Sequence, residues 1–330
     1  MVKKYIDIYI WERELKTFLP EDIFDFHSHI FNIENFSKKL QKEGIFKKFC
    51  VYGGREEIYY NKLLFPGKKV RFLFAGFPYS GCDIRRQNDF VYRETQKLQG
   101  SKFFILTTPA LEERYLKIWI EEKGTSGFKP YKCFSIKDPE KSRIADFLPY
   151  NQIEIANKYG LIITLHLSRK KGLADRYNFN DLLMLSDKYH SVKWNLAHCG
   201  RIFIPHYIEE IAYRLEELKN RNIYFDISAV CDSDIFSVFL SKIGPLKILF
   251  GSDNPIGLLR GRCVGLGYDW VFITEDKVPF DKMKESFGPV EPTFMIYEQL
   301  MCFRRAFTKA KLTKKDIQNI FYNNARKLLS

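Results

Sequence analysis

The chain has 330 residues, a mass of 39.1 kDa and a formal charge of +13, with 45% hydrophobic and 16% aromatic residues. That length buries a large core, and no run approaches the roughly 18 apolar residues a membrane-spanning helix needs, so no such helix is expected. The lysines are scattered and build no block of about five like charges, so the basic balance reads as a solvated surface that draws in anionic small molecules, without nucleic acid or membrane as partner.

The opening MVKKYIDIYIWERE interrupts its apolar residues with Asp7, Glu12 and Arg13, so no secretory leader is expected. Seven cysteines, an odd number without CxxC spacing, fit free thiols in a reduced cytoplasm. Eight candidate strands follow in order: 23–29, 70–76, 102–108, 126–131, 161–167, 192–198, 222–228 and 247–253. Most are continuous apolar runs, the pattern of parallel strands buried on both faces. Amphipathic stretches at 87–99, 110–123, 139–159, 179–189, 206–220, 231–242 and 290–308 alternate with them. A last helix near 314–329 starts with Thr313 and Asp316 in capping-box spacing and carries an apolar stripe of Ile317, Ile320, Phe321 and Leu328.

This arithmetic predicts one α/β domain over 1–330, a (β/α)8 TIM barrel. The segment 47–54 also reads as a strand, and falls in an insertion after strand one, followed by a helix-like EEIYYNKLLF. The stretch 254–289, rich in Gly and Pro, reads as a long loop after strand eight. A doubly wound open sheet is the structural alternative, but it leaves unexplained why chemistry-bearing residues sit at the ends of strands one, five, six and eight.

Those residues are Asp25, His27 and His29 in FDFHSH, His166 in IITLHLS, His198 in WNLAHCG and Asp253 in ILFGSDNP. Four of only six histidines occupy equivalent slots. In a barrel the C-terminal strand ends share one mouth. His27 and His29, at i and i+2, point to the same side. With His166 and Asp253 they make three imidazoles and a carboxylate, a set suited to Zn²⁺ and also accepted by Mn²⁺, Co²⁺ or Fe²⁺. Asp253 is expected to be both ligand and proton acceptor, and His198 to orient water or polarise a carbonyl. His190 and His206 lie away from strand ends and are assigned to surface or structural roles.

The ordered motifs resemble the amidohydrolase superfamily, in the amidohydrolase-related branch of metal-dependent hydrolases and aminocarboxymuconate-semialdehyde-type decarboxylases. The residues are Asp25-Phe26-His27-Ser28-His29, Gly127-Phe128-Lys129, His166, Ala197-His198-Cys199-Gly200, Leu249 to Pro255, and an ending Ile320 to Arg326 (IFYNNAR). The resemblance implies metal ligation by His27, His29, His166 and Asp253, with His198 assisting the reaction. Binuclear relatives carry a carboxylated lysine on strand four; here Lys129 is taken as a surface or substrate-contacting residue.

Arg169, Arg201, Arg260 and Arg262 follow the strand ends, and guanidinium forks match carboxylates. Lys129, Tyr131, Arg169, Arg201 and Arg262 are therefore the candidate substrate contacts. Trp270 and Phe272 are read as core or interface residues more than as pocket walls. The expected function is hydrolysis of an amide, lactone or ester bond of a small carboxylate-bearing substrate by metal-activated water. Nonoxidative decarboxylation at the same site is the alternative, and a catalytically inactive binding barrel is the second one. Self-association into a homo-oligomer is left open.

Overall fold

The computed structural model of the chain describes residues 2–42, 44–280, 288 and 290–330. Its barrel strands are β1 (Asp22–Asn32), β3 (Lys69–Gly76), β4 and β5 (Lys102–Phe103 and Ile105–Thr107, one strand broken at Phe104), β6 (Gly127–Pro130), β7 (Ile162–Leu165), β8 (Lys193–Leu196), β9 (Ile223–Asp226) and β10 (Ile248–Leu249). Each neighbouring pair around the ring is parallel. The ladders fall into two arcs, and backbone hydrogen bonds cross both seams. Phe104 N donates to Phe74 O at 2.8 Å on one side; Phe26 N donates to Phe250 O at 2.9 Å and Asp253 N to His27 O at 2.7 Å on the other. The eight predicted strands are these, and the architecture is the (β/α)8 barrel.

Local chemistry explains the elements. Strand residues of β6 and β7 are buried on both faces, so the runs GFKP and IITL show no alternation. Inside the ring Phe24, Phe26, Leu73, Ala75, Phe104, Ile162 and Leu249 form a separate apolar core, closed below by Ala325 and Leu328 of the last helix. The capping box of Thr313 and Asp316 starts that helix, and Ile317, Ile320, Phe321 and Leu328 are all buried.

Three elements differ from expectation. The segment 139–159 is α-helical only at Tyr150–Lys158, after a short 3-10 turn at Ile144–Asp146, because Pro149 takes the N-cap and bars an α-helix running through it from upstream. The segment 206–220 splits into Pro205–Ile211 and Glu216–Lys219. The region after strand eight is no simple loop: β11 (Gly261–Leu266) and β12 (Asp269–Thr274) form an antiparallel hairpin, turned at Gly267 with φ of +59°. Part of the expected loop, 281–287 and 289, lies outside the described residues. The insertion after strand one holds the short β2 (Val51–Tyr52), antiparallel to β1, and the helix Gly54–Leu64.

Candidate metal centre and its cavity

The register of β1 against β3 slips between Asp25 and Ser28. Phe24 and Phe26 belong to the inner core, and after this bulge-like step His27 and His29 turn inward instead. Strand eight meets them closely: a Cβ on Gly251 would lie 2.6 Å from His27 Cβ, so only glycine lets the two strands approach. Asp253 then takes a left-handed φ of +57°, and its carboxylate Oδ1 stands 3.4 Å from His27 Nε2 and 3.5 Å from His29 Nε2.

The outer nitrogens fix the tautomers. His29 Nδ1 donates to the carbonyl of Gly76 at 2.9 Å, and His27 Nδ1 faces the carboxylate of Asp226 at 3.1 Å. Both protons therefore sit on Nδ1, leaving two Nε2 lone pairs 3.1 Å apart beside a carboxylate. Such groups repel one another unless a cation lies among them. This donor set fits a divalent metal, with the outer hydrogen bonds that metal-binding imidazoles use. One cation is already present: Lys129 Nζ donates to His27 Nε2 at 2.9 Å.

Titration agrees with neutral ligands. Burial, then the Lys129 charge, lowers His27 to about 4 against the pull of Asp226. Burial lowers Lys129 to about 8. Burial works to raise Asp253, yet its closeness to the His29, His198 and His27 rings holds it down at about 2. Burial, with Arg201 and His198 nearby, keeps His166 well below the usual range.

His198 begins a run of left-handed residues, with φ of +56°, +51°, +72° and +61° for His198, Cys199, Gly200 and Arg201. Such backbone persists only where the surroundings impose it and clusters at functional sites. Its Nδ1 donates to Ser228 O at 3.0 Å, which leaves Nε2 free. Ser228 Oγ donates to Asp226 and lies 3.1 Å from His27 Nδ1, while Asn195 Nδ2 donates to Asp226 at 2.9 Å. Asp226 and Ser228 were missed at the level of sequence. Their signal is YFDIS, an apolar run ending in Asp at the same strand end as Asp253.

The structure thus groups His27, His29 and Asp253, and, sharing His27, a second set with His198 and Asp226. It leaves His166 outside both. That ring lies 5.3 Å from the His198 ring and 4.2 Å from Tyr131, its Nδ1 has no partner among the described residues, and the Lys129 ammonium takes the approach to His27. Lys129 is no surface residue: it is 1% exposed, behind the cavity lining.

Above the centre opens a cavity of about 470 Å³, whose walls include Phe77, Tyr131, Phe203, Trp270 and Phe272, with Arg201 at its edge. Trp270 and Phe272 are pocket walls, carried there by the hairpin, and Trp270 lies 4.6 Å from the Phe203 ring. Arg201 is 4% exposed; its Nη1 donates to Leu167 O and Arg169 O, and its Nε has no partner among the described residues. Arg169 and Arg262 do not reach the cavity. Arg169 is spent on Lys141 O and on Asp175 at 3.8 Å, and Arg262 on Cys231 O and on Glu298 at 3.3 Å. Arg260 is paired with Asp7 in a buried bridge. His190 is exposed and His206 pairs with Glu210 at 2.9 Å, as their assigned roles require.

Comparison with known proteins adds the lineage. No curated protein matches the chain by sequence. Solved structures match over nearly its whole length. They include 4-oxalomesaconate hydratase from Rhodopseudomonas palustris, at 17% identity and TM-score 0.58, covering 93% of this chain and 95% of that one. A 2,6-dihydroxybenzoate decarboxylase from Rhizobium gives 12% and 0.60, covering 94% and 99%. A zinc-bound amidohydrolase from Burkholderia multivorans gives 10% and 0.60, covering 93% and 98%. Likeness at such identity speaks for the barrel alone. The sequence model of the family described as Amidohydrolase matches residues 84–330, a span that contains His166, His198 and Asp253. On that match the chain belongs to the amidohydrolase family of enzymes.

Proposed function

We propose that this chain is a metal-dependent hydrolase that cleaves an amide, lactone or ester bond in a small carboxylate-bearing substrate. The observation that supports it most is the pair of unprotonated Nε2 atoms 3.1 Å apart, with the Asp253 carboxylate beside them, at the floor of the cavity. His27, His29 and Asp253 would hold one divalent ion, with His166 as the remaining nitrogen donor. Zinc is favoured by the donor types and by the zinc-bound relative. The ion, when bound, supplies Lewis acidity and brings the pKa of water down toward about 7.

The chain's own groups then divide the work. Asp253, held ionised, accepts the proton of the attacking water. His198 Nε2, left as an acceptor by the Nδ1–Ser228 contact, orients the attacking water. Arg201 and Tyr131 receive the substrate carboxylate. Arg169, Arg262 and Lys129 take no part in that contact.

A second reading, nonoxidative decarboxylation, is favoured by the aromatic walls Phe77, Tyr131, Phe203, Trp270 and Phe272, which suit a flat conjugated acid, and by the Rhizobium relative. Residues 1–330 act as one cytoplasmic unit on small anions in either reading. Among the described residues no helix is long and apolar enough to cross a membrane.

The test is turnover of a panel of carboxylated amides, lactones and aromatic acids by zinc-loaded protein, with carbon dioxide release recorded in parallel. Asp253→Asn is expected to keep the circular dichroism of the parent and to lose turnover by about 10²-fold or more, the range of a general base. Full activity in that variant would remove Asp253 as the base, and carbon dioxide release without hydrolysis would select the second reading.

A further inference from the structure

We infer that Glu57, on the insertion helix outside the barrel, is a positioning residue for the metal ligands, acting through Asn254. This rests on the metal centre proposed above and assigns its upkeep to a segment that contributes no ligand.

Glu57 is fully buried among the barrel seam, Tyr52 and its own helix. Its Oε1 accepts from Asn254 Nδ2 at 3.0 Å and from Asn61 Nδ2 at 2.8 Å. Asn254 follows Asp253 directly, and its carbonyl accepts from His29 N at 2.7 Å. Its own N–H donates to Ser252 Oγ at 3.0 Å. One residue earlier Asp253 N donates to His27 O, and Asp25 Oδ1 gathers the amides of His27 and Ser252 at 3.1 and 2.9 Å. The backbone amides of all three grouped ligands therefore close into one network across the seam between strands one and eight. The Glu57 contact ties that network to the insertion helix.

Asn254 is 0% exposed, and among the described residues Glu57 accepts from its side-chain N–H, so removing Glu57 leaves a buried donor unpaired. The left-handed φ of Asp253 likewise holds only while its neighbours enforce it. Removing Glu57 therefore frees the residue that turns the ligand carboxylate inward. Burial pushes the Glu57 carboxyl up, so glutamine, with the same carbonyl acceptor, is a close substitute. Helix Gly54–Leu64 thereby acquires a role that its sequence, an amphipathic insertion, does not announce.

The experiment compares Glu57→Ala and Glu57→Gln by amide hydrogen exchange on metal-free full-length protein and by zinc affinity against a chelator. In Glu57→Ala the amides of His29 and Asp253 are expected to exchange about tenfold faster or more. Amides of β7 and β8, across the barrel, should keep their rates. Zinc affinity should fall by 10- to 100-fold, as for lost outer-shell partners. Glu57→Gln restores both within a few-fold. Unchanged exchange at His29 and Asp253 in Glu57→Ala overturns the inference, as does equal loosening of β7 and β8, which would mean a merely structural helix. If Glu57→Ala does not fold, Asn254→Ala removes the same contact from the other side and is read the same way. Failure of the parent protein to bind zinc would sink the metal centre, while the exchange rates still decide the role of Glu57.

Discussion

Asp226 shows how much of the centre depends on a side chain that touches no open space. Its carboxylate is 0% exposed and holds His27 Nδ1, the His198 backbone N–H at 3.2 Å and Asn195. It has two imidazoles and Lys129 to keep it ionised against burial, and they hold it far below the usual carboxylate range. Asp226→Asn keeps the shape and removes the charge, so His27 loses its reason to carry the proton on Nδ1. Zinc affinity in that variant is expected to fall by about 10- to 100-fold, measured by competition with a chromogenic chelator. Affinity equal to the parent would show that Asp226 does not set the His27 tautomer. At this scale His27, His29 and Asp253 were legible in the sequence, because period-two spacing and strand-end position translate directly into a shared mouth. The buried place of Lys129 beside His27 was not. Which of two inward residues reaches an ion depends on side-chain rotamers and on what already fills the space.

The hairpin β11–β12 is the element that the composition of its segment concealed. Gly- and Pro-rich flanks read as loop, yet Gly267 supplies the left-handed turn and Cys263 pairs with Phe272, Gly265 with Trp270. Tyr207 Oη donates to Tyr268 O at 2.8 Å and pins the tip near the helix after strand six. The barrel strands, by contrast, were legible because burial on both faces leaves no alternative to apolar runs, and the break at Pro149 was legible in hindsight from proline's missing N–H. Trp270 is half-buried against Phe203 and Phe272. Trp270→Ala removes one aromatic wall and is expected to raise KM about tenfold while kcat changes less, since a stacking contact is worth roughly 1 kcal/mol beyond its area. Steady-state kinetics on a confirmed substrate check this, and an unchanged KM would take the hairpin out of substrate recognition.

The whole molecule spends stability to keep the His27 imidazole neutral. His27 has a folded pKa of about 4 against 6.5 for the free side chain. As pH falls from 6.5 toward 4, the unfolded chain takes up a proton that the metal-free native chain refuses. The His27 contribution is therefore complete above 6.5, drains away across that window by about 3 kcal/mol, and is flat below it. Urea denaturation of metal-free protein at several pH values between 4 and 8 reads this slope, and His27→Gln should flatten it; an identical slope in the variant would place the titration elsewhere. Zinc, binding only the native state, should raise the whole curve.

The most direct test of the account is a crystal structure of the protein grown with saturating zinc, with the ion located by anomalous scattering. The expected result is one ion among His27 Nε2, His29 Nε2 and the Asp253 carboxylate, with the Lys129 ammonium displaced from His27. An ion bound elsewhere, or none among those three side chains, would contradict it.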